Sequence, residues 1–264
     1  HPDDDLVTVG GGLSVYAFSG YPMARIACCK SDRIIQHGAG PRFSRAGEII
    51  KGEFRYSSNL AGRTVNRVLD EFDTNGASDL ESQLAQWGGS VEPLESRLVE
   101  AIRTWQPLVV VTHEPTFGDY DKGNHKGVGH IATLAFESAG NPEKYPEQIA
   151  RGLEPWSPRK LYYGMFGGLG TPPPAVIARR TSDLAINAHI SCPRLTGTCL
   201  QQDQLALDQY FSQFNHGRPD TWDFSRPPWN PWNFHRAASH VLSPLPEKSI
   251  FDGIPLIRSP TEKK

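Results

Sequence analysis

A short apolar run, Leu108–Val111, constrains the fold of this 264-residue chain more than any other segment. An unbroken run rich in β-branched residues is typical of a strand buried on both faces of a parallel sheet. A helical pattern precedes it, from Pro93 to about Trp105, and another follows over residues 130–138. Because strands that alternate with helices pack in layers, the pattern predicts an α/β fold.

The alternation extends along the first half of the chain and weakens beyond residue 140. The other predicted elements are helices over 6–19, 43–58 and 203–214 and strands over 23–29, 64–69 and 160–163. From Gly217 to the end there are eight prolines and no sustained periodicity. We therefore predict a tail without regular structure that packs on the domain through its aromatic residues.

Composition limits the partners that we expect. The net charge is −2 and no basic run occurs, so nucleic acid is not an expected partner. No apolar stretch approaches the ~20 residues that span a bilayer. Localisation stays open between the cytoplasm and export, because a signal peptide would lie upstream of His1. Cys192 and Cys199 enclose a short loop and would pair only in an oxidising compartment.

The chain begins with His1-Pro2-Asp3-Asp4-Asp5, a pattern that suits metal-assisted hydrolysis. An imidazole and a carboxylate three residues apart, His1 and Asp4, can close on one divalent cation. Asp3 is then left over as a base that takes a proton from a water activated by the metal. The competing interpretation is an acidic, solvated surface segment.

The third ligand is expected after the Leu108–Val111 strand, because open α/β sheets place their sites at the carboxyl ends of strands. Residues 113–129 read as a polar, glycine-rich loop, and three histidines lie close by: His113, His125 and His130. His130 stands at the start of the predicted helix. With His1 and Asp4 it would complete a His-Asp-His set that leaves one metal position open for water or substrate.

These segments resemble the zinc-dependent LmbE-like, or PIG-L, N-acetylglucosaminyl deacetylases, whose signature is an HPDD(E) motif followed by a later HxxH element. The glycines at 10–12 stand where that family has a GG, and Arg45-x-x-Glu48 resembles its RxxE motif. The strand that ends at Thr112 precedes the second histidine segment, as in the family. The resemblance covers residues 1–140, about half of the chain.

The resemblance implies a role for each matching residue. It implies zinc ligands His1, Asp4 and His130, catalytic residues Asp3, His125 and Tyr120, and a substrate contact from Arg45. Asp3 would be the general base. His125 would stabilise the oxyanion or protonate the leaving amine, and Tyr120 would polarise the amide carbonyl. Iron or cobalt in place of zinc stays open.

The chain departs from the family pattern at identifiable positions. Four residues separate His125 from His130 where the family has two, and Gly129 stands where the family has an acid. Asp5 replaces a glutamate. The apolar strand that precedes HPDD in the family is not in the sequence, so we expect residues upstream of His1.

The resemblance and the pattern together predict a Rossmann-like three-layer α/β sandwich with a mostly parallel sheet and an irregular C-terminal extension. We divide the chain into a deacetylase-like domain over 1–215 and a Pro/Trp-rich extension over 216–264 that packs on it. The predicted function is zinc-dependent hydrolysis of a linear amide other than a peptide bond. The substrate would be a small N-acetylglucosamine-type sugar or glycoconjugate, and a homo-oligomer stays open.

Two other classes of function compete with this prediction. A non-catalytic carbohydrate-binding protein on a degenerate deacetylase fold would account for the altered histidine spacing and the aromatic tail. Alternatively, His1 as a mature N-terminus would chelate copper through its amine and imidazole, as in oxidative polysaccharide-cleaving enzymes. Those enzymes are mostly β-sandwiches, whereas this chain alternates helix and strand.

Overall fold

A computed structural model describes residues 1, 4–29, 46–71, 79–116, 123–164, 182–192, 195–210 and 232–255. The helices are α1 Asp4–Thr8, α2 Gly10–Phe18, α3 Ala46–Leu60, α4 Leu80–Gln86, α5 Glu92–Trp105, α6 Gly123–Ser138, α7 Pro146–Ala150 and α8 Cys199–Leu207. The strands are β1 Ala24–Cys29, β2 Val65–Glu71, β3 Val109–Thr112, β4 Lys160–Gly164, β5 Leu184–Ile186 and β6 Trp232–Ser239. None of the helices in these ranges combines the length and the apolar character needed to cross a membrane.

The strands form two sheets in the described part of the chain. β1 and β2 pair in parallel, and the second sheet has the order β3-β4-β6-β5. β3 and β4 are parallel, whereas β6 runs antiparallel to both β4 and β5. The mixed α/β fold is therefore confirmed, but two of these four pairings are antiparallel, so the described sheets are not mostly parallel as predicted.

β6 corrects the prediction of an irregular C-terminal extension. This strand lies between β4 and β5, and its Trp232 and Phe234 are 2% and 0% exposed in the core. Two aromatic residues at a spacing of two point to the same face of a strand, but the alternation is too short to stand out among the prolines. The predicted domain boundary at residue 215 lies outside the described residues.

Successive valines of β3 pack against different hydrophobic clusters. Val109 and Val111 contact the cluster that α1, α2, α8, β4 and β6 share. Val110 contacts the cluster that α5 and α6 form with β1 and β2. Because side chains alternate along a strand, helices cover both faces of β3. This arrangement brings the start of α1 and the start of α6 to β3. We expect the site at the carboxyl end of that strand.

β3 is less buried than its sequence predicts. All four of its residues are half-buried, although the valine run is typical of a strand enclosed on both faces. In the described part of the chain β3 is the end strand of its sheet and pairs with β4 alone. No described strand covers its side chains at the other edge, so they stay partly exposed.

The helix predicted over 203–214 begins earlier, at Cys199. Thr198 accepts a hydrogen bond from the backbone nitrogen of Gln201, and the Gln201 side chain bonds the Thr198 backbone in return. This capping box is a sequence signal for a helix start that the periodicity alone does not reveal. Cys192 and Cys199 are both buried free thiols.

The glycines of α2 allow this helix to lie directly on β6. A Cβ atom at Gly11 would come within 1.9 Å of Trp232 Nε1, and one at Gly12 within 2.9 Å of the Phe234 ring. Both distances are far shorter than a carbon–carbon contact of about 3.5 Å. Glycine is therefore required here by close packing of a helix on a strand.

Gly11→Ala is expected to destabilise the fold by at least about 1–3 kcal/mol, the usual effect of overpacking a core. Gly52→Ala is the matched control, since Gly52 lies in α3 and a Cβ there meets nothing within 4 Å. It should stabilise the protein by up to about 1 kcal/mol through helix propensity. Urea denaturation followed by circular dichroism measures both. Wild-type stability in Gly11→Ala would contradict the packing of α2 on β6.

Candidate functional site

Three side chains converge where α1 and α6 begin: His1, Asp4 and His125. One ligand atom from each lies within 4.8 Å of the other two. His1 Nδ1 is 3.1 Å from Asp4 Oδ2 and 3.1 Å from His125 Nε2. His125 Nε2 is also 3.1 Å from Asp4 Oδ2. The three atoms thus form a nearly equilateral triangle, an arrangement that suits one face of a metal coordination sphere.

Local backbone structure brings these residues together. The backbone nitrogen of Asp4 donates to the His1 carbonyl at 3.4 Å, a turn that places residues three apart side by side. His125 lies in the first turn of α6, next to Asn124, whose side-chain amide nitrogen is 3.2 Å from His1 Nε2. With Nδ1 facing the triangle as a ligand, Nε2 carries the ring proton, and the Asn124 amide orients the ring by turning its oxygen to accept that N–H.

His113 is a fourth member of this site. It follows the last residue of β3 and stacks on His125, with ring centroids 4.4 Å apart and planes 5° from parallel. Its Nε2 atom is 3.6 Å from Asp4 Oδ2. From the sequence a structural histidine is the favoured interpretation, although its position directly after the carboxyl end of a strand also suits a residue that supports the site.

Burial and charge set the protonation states of the triangle. Burial lowers the pKa of His125 below its ordinary value, against the opposing pull of the Asp4 carboxylate. Burial alone would raise the pKa of Asp4, but the nearby imidazoles of His125 and His1, with hydrogen bonds from His1 and His113, hold it well below its usual range. A neutral imidazole and an ionised carboxylate are the forms that metal ligation requires.

The structure brings His125, and not His130, to His1 and Asp4. His130 is half-buried on α6 and does not join the group of described side chains that could hold a metal. Five residues of helix turn by about 500°, so the two histidines point roughly 140° apart. They cannot both face one centre while α6 continues through them.

The start of α6 explains why the sequence favours His130 over His125. The glycines at 127 and 129 favour a loop by propensity, yet α6 begins at Gly123. A Cβ at Gly127 would come within 2.6 Å of the Trp87 ring, and one at Gly129 within 2.5 Å of the His113 carbonyl oxygen. These glycines let α6 approach α4 and β3 closely. Asp3, Arg45 and Tyr120 lie outside the described residues, so their roles stay predictions.

Asp5 anchors the histidine–aspartate segment to the rest of the fold. Its carboxylate pairs with Arg25 of β1 and with Arg63, whose Nε is 3.2 Å away. The Arg63 side chain is only 2% exposed and also donates to the Ala61 carbonyl at 2.8 Å and to Ser14 Oγ at 3.1 Å. Two elements of the core thus hold the residue next to Asp4.

Asp203 of α8 completes this buried network. It accepts a hydrogen bond from Ser14 Oγ, and Arg63 Nη1 lies 3.6 Å from its Oδ1. The residue is fully buried, and burial raises the pKa of the Asp203 carboxyl to about 7. The network therefore contains one carboxyl group that titrates near neutral pH.

Comparison with known proteins gives a consistent set of relatives, although no protein-family model matches the chain. The chain is 28% identical over 175 residues to a 1D-myo-inositol 2-acetamido-2-deoxy-alpha-D-glucopyranoside deacetylase of Thermomonospora curvata. The alignment covers 61% of the chain and 56% of the relative. A protein of the same name from Nocardiopsis dassonvillei is 27% identical over 219 residues, which is 72% of the chain and 75% of the relative. The chain thus spans about half the length of the Thermomonospora curvata relative, and it spans 53% of a similarly named deacetylase of Catenulispora acidiphila.

Solved structures share the fold at low identity. The N,N'-diacetylchitobiose deacetylase of Pyrococcus horikoshii superposes with a TM-score of 0.60 at 15% identity, over 89% of this chain and 80% of that one. The 4-carboxy-2-hydroxymuconate hydratase of Pseudomonas putida KT2440 gives 0.61 at 14% identity, over 93% and 96%. Since a deacetylase and a hydratase both have this fold, the fold alone does not choose the reaction.

His125→Ala is expected to abolish tight binding of a divalent cation, whereas His130→Ala should leave it nearly unchanged. Loss of an outer partner of a ligand already weakens metal affinity by about 10–100-fold, and loss of a direct ligand should exceed that. Calorimetric titration of Zn²⁺ into chelator-treated protein measures both variants. Tight Zn²⁺ binding by His125→Ala, together with loss of Zn²⁺ binding by His130→Ala, would contradict the triangle of His1, Asp4 and His125 as the metal site.

The free energy of unfolding of Asp203→Asn, taken relative to that of the wild type, is expected to increase as the pH rises. The folded-state pKa of about 7 exceeds the unfolded value of about 3.9, so the folded chain binds the extra proton. The stability that protonated Asp203 contributes is complete below about pH 4 and is lost as the pH passes about 7. Urea denaturation at pH 5 and pH 8 measures the difference, with the exposed Asp208→Asn as the control. If the difference in the free energy of unfolding between wild type and Asp203→Asn does not change with pH, the raised pKa of the buried Asp203 carboxyl is contradicted.

Proposed function

We propose that this chain, a homologue of the LmbE-like or PIG-L deacetylases, is a metal-dependent hydrolase that removes the acetyl group from an N-acetylglucosamine-type sugar or glycoconjugate. One observation carries the proposal. Two imidazoles and a carboxylate converge beside the carboxyl end of β3, in a chain whose curated relatives are named as deacetylases of a glucosamine–inositol glycoside. The convergence supplies the chemistry, and the relatives supply the substrate class.

The triangle of His1, Asp4 and His125 suits zinc. Four tetrahedral ligand atoms at about 2.1 Å from zinc lie about 3.4 Å from one another, so the observed spacing of 3.1 Å needs only a small opening. Three protein ligands leave one position for water or substrate, as in catalytic rather than structural zinc sites. Iron or cobalt would suit the same ligands, and we propose zinc by resemblance to the family.

The chain's own residues would then perform the proton transfers. A bound divalent cation would polarise the acetamido carbonyl and make a nearby water more acidic. Asp3 is the proposed base. It accepts a proton from that water while the water oxygen attacks the carbonyl carbon. The proton is passed on to the sugar nitrogen as the carbon–nitrogen bond breaks. With the second proton of the water also released to the amine, the products are acetate and a protonated amine.

The proposal changes two predicted roles, with His125 in place of His130 as a ligand, and keeps the others. His125 is proposed as a ligand, so Tyr120 is the remaining candidate among the predicted residues for polarising the carbonyl. Arg45 is proposed to contact the substrate. His113 stacks on His125 and lies near Asp4, and we propose that it holds these two side chains in position.

Asp3→Ala is expected to retain the metal and lose about 10²–10⁴-fold in amine release, the usual contribution of a general base. The substrates are N,N'-diacetylchitobiose and the glucosamine–inositol glycoside of the relatives' names, and a fluorescent amine reagent follows the product. Metal content is measured on the same samples. The exposed Asp208→Asn is the control and should keep wild-type activity.

Full activity of Asp3→Ala would contradict the assignment of the base. A wild-type protein that holds zinc yet releases amine from neither sugar would contradict the deacetylase proposal. That result would favour the non-catalytic carbohydrate-binding alternative. Copper in place of zinc in the purified protein would favour the oxidative alternative.

A further inference from the structure

A second polar cluster lies along the same sheet edge as the metal triangle, and it consists of His235, Asp183 and Tyr163. We infer that His235, held by Asp183, binds a hydroxyl group on the sugar unit beyond the ring that carries the acetamido group. The inference rests on the proposed deacetylase function for its substrate class. Its own basis is the sheet register and the contacts of this cluster.

The register fixes how far His235 lies from the metal triangle. Thr112 of β3 stands opposite Tyr163 of β4, and Tyr163 stands opposite His235 of β6. Neighbouring strands are about 4.8 Å apart, so the backbone of His235 lies about 10 Å from that of Thr112. His113, the next residue, contacts Asp4. A two-ring sugar with its acetamido group at the triangle would span this interval.

The cluster also faces the same side of the sheet as His125. Residues directly opposite each other on paired strands project to one face, so Thr112, Tyr163 and His235 share a face. The Tyr163 hydroxyl is 2.9 Å from Thr133 Oγ1 on α6. α6 therefore covers this face, and the same helix presents His125 in its first turn.

Asp183 holds the His235 ring in a defined orientation. His235 Nδ1 is 2.8 Å from Asp183 Oδ2, and the same oxygen accepts the Arg236 backbone N–H at 2.9 Å. The Asp183 side chain is 8% exposed, whereas that of His235 is 34% exposed. When Nδ1–H donates to the carboxylate, the neutral ring presents Nε2 as an acceptor. An oriented acceptor at a partly exposed position suits a sugar hydroxyl.

Tyr163 adds an apolar surface beside this acceptor. Its ring centroid is 6.2 Å from that of His235, and the residue is half-buried. A sugar ring has apolar faces and hydroxyl groups around its edge. An aromatic ring next to an oriented imidazole therefore offers partners to both parts of one pyranose.

His240, the residue that follows β6, shows what a packing histidine looks like here. It lies at the other end of β6, where its Nδ1 is 2.8 Å from the Pro158 carbonyl and its ring stacks on Phe136 at 5.1 Å. Its contacts are with backbone and core. His240 is thus a matched control for the loss of an imidazole next to β6 and far from the proposed sugar site.

The test compares a two-ring sugar with a one-ring sugar, N,N'-diacetylchitobiose against N-acetylglucosamine. Calorimetry is done in an Asp3→Ala background, which turns the sugar over slowly, and His235→Ala is expected there to weaken binding of the two-ring sugar about tenfold, the loss of one hydrogen bond. In the otherwise unaltered enzyme it should raise the KM for that sugar by the same factor. kcat, and the binding of the one-ring sugar, should stay within twofold of wild type. His240→Ala should leave both affinities unchanged, and His235→Gln, which keeps an acceptor, should restore part of the loss.

Equal weakening of both sugars, or of neither, by His235→Ala would overturn the inference. Thermal denaturation of each variant separates a folding defect from a binding defect, and His235→Gln supplies the test if the alanine variant unfolds. If the wild type releases no amine, the proposed function fails while the calorimetric comparison still decides the inference. A tenfold, two-ring-specific loss of binding would then support the sugar site without the hydrolysis.

Discussion

The carboxylate of Asp5, held by Arg25 and Arg63, is the interaction on which the rest of the site depends. Both arginine side chains are almost fully buried, and a buried cation without a counter-charge costs several kcal/mol. Asp5 provides the counter-charge to both, and it is adjacent to the proposed ligand Asp4 in the chain. The need to neutralise the two arginines therefore fixes the start of α1 against β1 and against the connection between α3 and β2. The ligand positions follow from an electrostatic requirement of the core.

Much of the fold could be predicted from the sequence because its strands and helices have clear periods. β1, β2, β3, β4, α3 and α5 begin and end within three residues of the predicted elements. The pairing of His1 with Asp4 follows from a spacing of three residues in a turn. The choice between His125 and His130 could not be made in this way. It depends on glycines that look like loop residues, and only the close approach of Trp87 and of the His113 carbonyl explains them.

β6 and His113 illustrate a second limit of sequence reasoning. The strand's two inward aromatic residues give too short an alternation to be recognised, and its place between β4 and β5 is a tertiary property. His113 acquires its role only when α6 brings His125 against it. β6 and His113 both contribute to the edge of the structure where β3 and β4 end. The residues proposed to bind metal and sugar lie along this edge. A shared fold with a hydratase means that this edge, rather than the topology, must determine the reaction.

The central claim is that His1, Asp4 and His125 hold one divalent cation. X-ray absorption spectroscopy at the zinc edge, on the zinc-loaded wild type and on His125→Ala and His130→Ala, tests it most directly. The wild type should show about four nitrogen and oxygen neighbours at about 2.0–2.2 Å, two of them imidazole nitrogens. His130→Ala should give the same spectrum, and His125→Ala should lose one imidazole or the metal. An imidazole signal that is unchanged in His125→Ala and reduced in His130→Ala would contradict the account.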